Sequence, residues 1–157
     1  MNDKVWKASL HKEDGTLCDI RVPEGVVVIA GNCFSDNTQL KTAELPSTLR
    51  DIGVSAFAGC TSLESIEVPE GITRLRKATF QGCRSLREVV LPESLTSIGE
   101  WAFRDCTSLT RIRIPKGVTE ICAESFLGDD GLVIETEPGS YAEEYARVFQ
   151  FLISSES

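Results

Sequence analysis

The chain has 157 residues, of which 24 are acidic and 16 basic, giving a formal charge of -8 and a pI near 4.7. A phosphate backbone would meet net repulsion, so nucleic acid is excluded as an expected partner. The length suits one domain spanning 1–157, and no apolar run approaches the roughly 20 residues of a bilayer-spanning helix, which argues against membrane insertion.

The first residues, Met1 to Trp6, turn polar again at once, with no apolar leader core and no small-residue cleavage site. As written, the chain reads as unexported and cytoplasmic; a leader already removed would make it a cell-surface or secreted protein. Residues 1–16 are expected to form an N-terminal cap, with Val5, Trp6 and Leu10 as its apolar contacts.

From residue 17 to about 137 the chain repeats. Proline stands at Pro23, Pro46, Pro69, Pro92, Pro115 and Pro138, all in one phase of a 23-residue period. Phenylalanine keeps the same phase at Phe34, Phe57, Phe80, Phe103 and Phe126, and a leucine opens each unit at Leu17, Leu40, Leu63, Leu86, Leu109 and Leu132.

Within the unit that starts at Thr61, Ile66 and Val68 alternate with Ser65 and Glu67, the period of a half-buried strand. Pro69 ends that strand because it has no N–H to donate and its fixed φ suits a turn. A second apolar pair follows, Ile72 and Leu75, recurring as Val26/Ile29, Leu49/Ile52, Leu95/Ile98 and Val118/Ile121. A small-residue column, Cys33, Ala56, Thr79, Ala102 and Ser125, precedes each ring.

One unit is too short to bury its own apolar face, so units must stack, leucine over leucine and ring over ring. The expected fold is a β-dominated leucine-rich-repeat solenoid of the α/β class. It is a right-handed coil with parallel strand ladders along its length, short turns or 3-10 segments, and a capping helix.

The pattern Leu-x-x-Ile-x-Val-Pro-x-x-Ile-x-x-Leu-x-x-x-Ala/Thr-Phe-x-x-Cys resembles the BspA-like class of leucine-rich repeats, found in bacterial and protist surface proteins. The resemblance implies protein binding, with attachment of a cell to host or matrix proteins as its specific form. The asparagine ladder of more familiar repeats is absent, because that slot holds Gly25, Thr48, Gly71, Ser94 and Gly117.

Residues 138–157 are expected to cap the other end. Ser140 and Glu143 have capping-box spacing and Tyr141 and Tyr145 lie at i, i+4, which predicts a short helix. Phe149 to Ile153 then reads as a last strand covering the open edge.

An even count of six cysteines can signal a disulfide framework, but Cys60, Cys83 and Cys106 share one repeat position, held elsewhere by Asn37 and Asp129. They read as a buried stack of structural thiols. Cys33 and Cys122 fill other small slots and Cys18 flanks the first strand. No C-x-x-C pair supports zinc, and neither metal nor cofactor is expected.

The single histidine, His11, lies in the irregular N-terminal segment with no partners indicated, so the chain is expected not to be an enzyme. The candidate binding surface is instead the outward, concave side of the first ladder. One column reads Asp19, Thr42, Ser65, Glu88, Arg111 and the next Arg21, Glu44, Glu67, Val90, Arg113. Glu88 is placed to pair with Arg111, and Glu44 to repel Glu67 mildly.

Trp101, in a slot held elsewhere by Asn32, Ser55, Ala78 and Glu124, is a candidate hot spot; packing against its own neighbours is the equal alternative. The expected function is a protein-interaction module, with a monomer favoured. The rival is a structural spacer, or a fragment of a longer surface protein that binds elsewhere.

Overall fold

A computed structural model describes residues 5–6 and 18–155. Leu10, His11 and Leu17 lie outside the described residues. Each of the five full repeats contributes two short strands, and the partial sixth contributes one. The first ladder is built from β2 (Asp19–Arg21), β4 (Thr42–Glu44), β6 (Ser65–Glu67), β8 (Glu88–Val90), β10 (Arg111–Arg113) and β12 (Val133–Thr136). The second contains β1 (Val5–Trp6), β3 (Val28–Ile29), β5 (Asp51–Ile52), β7 (Arg74–Leu75), β9 (Ser97–Ile98) and β11 (Glu120–Ile121). All pairings are parallel, residue 42 opposite 65 and 65 opposite 88, so the sequence period becomes the register of the sheet.

Proline starts the turn between the two strands: the carbonyls of Pro23, Pro46, Pro69, Pro92 and Pro115 accept from the N–H three residues on, at 3.1–3.4 Å. The alternation of glycine and hydroxyl in the next slot also has a use. Gly25 N–H donates to Thr48 Oγ1 in the next unit, and Gly71 N–H to Ser94 Oγ, both at 3.0 Å. Each hydroxyl in turn donates to the carbonyl of Val26 or Ile72.

The core is a set of columns. Phe34, Phe57, Phe80, Phe103 and Phe126 stack with centroids 5.1, 5.6, 5.4 and 5.3 Å apart. The small column beside them is buried throughout, and its polar members are satisfied by backbone: Thr79 Oγ1 donates to Arg76 O and Ser125 Oγ to Gly99 O. Cys60, Cys83 and Cys106 form the expected buried corner stack, each Sγ donating to the carbonyl of Phe34, Phe57 or Phe80 at 3.1–3.2 Å. Burial pushes the Cys60 thiol up to about 12 and the Cys33 thiol to about 11, so both stay protonated.

Neither ladder is continuous. The first divides into β2–β4–β6–β8 and β10–β12–β13, where β13 is Leu152–Ser155; the second divides between β5 and β7. The second break falls at Arg76. Its column otherwise holds Ala30, Gly53, Gly99 and Cys122, and a Cβ at Gly53 would lie 2.3 Å from Gly31 N. Arg76 breaks the run of small residues, and its guanidinium spans the gap with two bonds to the Asp51 carboxylate, 2.9 and 2.8 Å. Those bonds hold Asp51 below the usual carboxylate range. A double-mutant cycle of Asp51→Ala and Arg76→Ala, read by urea unfolding, should return a coupling of about 1 kcal/mol; zero coupling would show that the pair does not bridge the break.

The ends differ from the repeats. Val5 and Trp6 form β1 and pair with Val28 and Ile29, with Trp6 packed on the core. At the other end the strand pairing shortens by one residue: Arg111 faces Val133 and Ile112 faces Ile134. The turn therefore begins at Glu137, whose carbonyl accepts from Ser140 N, and Pro138 falls one place later than the other prolines. Pro138 keeps the sequence phase but not the structural one.

Helix α1 (Tyr141–Val148) follows, with Ser140 at its N-cap accepting from Glu143 N. The Glu143 carboxylate reaches past Ser140 to Gly139 N, 2.6 Å. Tyr145 and Phe151 pack at the open end of the ring stack, centroids 6.2 and 6.0 Å from Phe126. Tyr145 also donates its hydroxyl to Ala123 O. The last strand begins at Leu152, later than Phe149, because Phe149 caps the helix and Gln150 turns with φ of 62°.

Candidate functional site

The outward positions of the first ladder form a groove of about 1060 Å³ over the first three described units. Five carboxylates line it, Asp19, Glu24, Glu44, Glu67 and Glu70, against two guanidinium groups, Arg21 and Arg50. Several of these charges are already engaged. Arg21 pairs with Glu44 at 2.9 Å, and Arg50 donates to the carbonyls of Ser47 and Leu49. Glu24 accepts from Ser47 N and Glu70 from Glu93 N, so both also brace the turn of the following unit. Thr42 Oγ1 donates to Asp19 Oδ1. Glu67 and Glu88 have no hydrogen-bond or ion-pair partner among the described residues.

The sequence columns thus come together on one face: Arg21, Thr42, Glu44, Ser65, Glu67, Glu88, Val90, Arg111 and Arg113 all lie on it, half-buried at Ser65 and exposed at the others. The pairing along it differs from expectation. Arg111 pairs with Glu135 at 2.8 Å and donates to Ser154 Oγ; it does not pair with Glu88. Arg113 pairs with Glu93 at 2.7 Å. The one-residue shortening of the sixth unit explains the first change, because it brings Glu135 directly opposite Arg113 and within reach of Arg111. The face is therefore open and acidic in its first half and ion-paired at its arginine end.

Trp101 lies on a turn with φ of 59°, in a left-handed column with Asn32, Ser55 and Ala78. Its Nε1 donates to Glu124 Oε2 at 2.6 Å, and Lys77 and Arg104 sit 4.5 and 5.1 Å from its ring centroid. The ring is half-buried among its own neighbours. No group of three or more His, Cys, Asp or Glu side chains among the described residues is arranged to hold a metal.

The stacked repeat of leucine, proline and phenylalanine positions is matched by the family model for the BspA type leucine rich repeat region, in six copies over residues 7–133. The chain belongs to the BspA-type leucine-rich-repeat family. The leucine rich repeat protein of T. pallidum has a similar structure at 35% identity and a TM-score of 0.73, over 76% of this chain and 59% of that one. The pneumococcal vaccine antigen PcpA matches over 92% of this chain and 45% of that one, at 18% identity and a TM-score of 0.70, a likeness of fold alone. This BspA-type chain therefore spans less than two thirds of either. No curated protein matches it.

Proposed function

We propose that the chain is a non-catalytic binding module whose acid-lined concave groove takes a basic, extended segment of a protein partner. The observation that carries this reading is the groove itself: a rigid sheet face with five carboxylates to two arginines, both arginines already engaged and Glu67 without a partner among the described residues. An extended segment laid across parallel strands presents alternate side chains to the face, and complementary charge gives on-rate and specificity. Family membership supports a protein-interaction role, and display at a cell surface with contact to host proteins is the specific form that the family resemblance implies.

The test uses a lysine-rich extended peptide and an acidic one as probes in fluorescence anisotropy at low and high salt. The wild-type chain should bind the basic peptide in preference, with affinity falling as salt rises. Glu67→Lys should weaken it about 5–10-fold, as expected when an exposed attraction of about 0.5 kcal/mol becomes a repulsion of similar size, a total change of about 1 kcal/mol or slightly more. Val90→Lys, further along the same face, should weaken it less. Equal binding of both peptides, or an unchanged affinity in Glu67→Lys, would remove the groove from consideration.

A further inference from the structure

The last strand solves one edge problem and creates another. β13 pairs with β12, Leu152 opposite Val133 and Ile153 opposite Ile134, and so covers the final repeat. β13 is itself the terminal strand of its sheet, and its far edge is unpaired among the described residues. Natural sheets blunt such edges with lysine, proline or a bulge. Val148 to Ser155 contains no charge and no proline, in a chain of net charge -8.

Of the eight large hydrophobic side chains exposed among the described residues, five belong to this end: Leu127, Val148, Phe149, Leu152 and Ile153. Leu127, Phe149 and Leu152 share the rim of a cleft of about 550 Å³ between the sixth unit and the cap. Backbone donors, backbone acceptors and apolar side chains are therefore offered together at one place.

We propose that the C-terminal edge is an interface with a second copy of this chain, the two β13 strands pairing antiparallel across a two-fold axis. Only a two-fold arrangement makes the same edge its own complement and closes at two copies. The occupant follows from charge: two chains of -8 repel over most of their surfaces, and the uncharged edge lets them approach. Four paired residues with an apolar rim make a small contact, so the dimer is weak and concentration-dependent. It would carry two concave faces, which raises avidity for a repetitive partner whatever each face binds, so it stands apart from the groove's chemistry.

Sedimentation velocity of the 157-residue chain from about 1 to about 100 µM should show conversion from monomer to dimer and no larger species. Leu152→Lys, and separately Leu127→Lys, should leave the chain monomeric at every concentration with an unchanged circular dichroism spectrum. Val54→Lys, at an exposed apolar position outside the patch, should dimerise as the wild type does. Wild type that stays monomeric, open-ended oligomers beyond the dimer, or a dimer that survives both lysine variants would each overturn the proposal.

Discussion

Phe80→Ala should cost about 3–5 kcal/mol, the loss typical of deleting a large side chain from a packed core that cannot collapse around the cavity. Phe80 is fully buried and stands third of five in the ring stack, with a ring 5.6 Å away on one side and 5.4 Å on the other. Both flanks lose contact at once, and the backbone on either side is held by ladder bonds, Phe57 N to Thr79 O and Phe80 N to Ala102 O, which resist relaxation. Against a total stability of about 5–15 kcal/mol this is a large share. Phe34→Ala, at the end of the stack and 5% exposed, should cost distinctly less. Urea unfolding of both variants decides the matter: equal losses would mean that the units do not share one continuous core. Phe80→Leu should recover part of the loss, since volume matters more than the ring edge.

The same columns explain how much was legible beforehand. Repeat phase located the rings, the small column, the thiol stack and both strands of each unit, because a solenoid maps sequence period directly onto stacking. It failed where the period and the structure part company. Leu132 is followed by its inward strand residue, Ile134, after two positions, whereas Leu109 is followed by Ile112 after three. That deletion was visible in the sequence, yet the proline at the expected interval concealed it. One consequence is the place of Pro138; the other is the pairing of Arg111 with Glu135, a residue that a strict 23-residue count puts in the wrong column.

The ladder breaks were illegible for a different reason. Column composition shows Arg76 among small residues, but only the structure shows that its guanidinium returns to Asp51. Which side chains of the concave face were already engaged also depended on geometry, since rim charges at about 5 Å strand spacing have several neighbours to choose from. The neighbours of Trp101, namely Glu124, Lys77 and Arg104, were illegible for the same reason.

Asp129 should make the chain lose stability as pH rises from about 4 to about 8, and Asp129→Asn should abolish that slope. The residue ends the corner column of Asn37, Cys60, Cys83 and Cys106 and is 2% exposed. Each thiol above it donates to a carbonyl 26 residues back, and the corresponding acceptor for Asp129 is Phe103 O. A carboxylate has no proton to give there, and neither oxygen has a hydrogen-bond partner among the described residues. Burial pushes its pKa up to about 8, the charges of Asp105 and Asp130 push the same way, and the nearby Cys106 N–H opposes them without completing a bond. Tyr145, also facing this corner, has its own phenol raised by burial and stays neutral.

The unfolded chain ionises Asp129 near its ordinary value of 3.8, while the folded chain keeps the proton until about 8. Between those values the folded state binds one proton more, so unfolding becomes easier by up to about 1.4 kcal/mol per pH unit, on the order of 4 kcal/mol by pH 7. Above pH 8 both states are ionised and the dependence flattens. Asp51 acts in the opposite sense and outside this window, since its lowered pKa confines its loss of stability to pH values below the ordinary carboxylate range. Asp129→Cys should extend the thiol column and, like the Asn variant, match wild type near pH 4 and exceed it near pH 8. Urea unfolding at several pH values would test this; equal slopes in wild type and Asp129→Asn would mean that the buried carboxyl is not held as the acid.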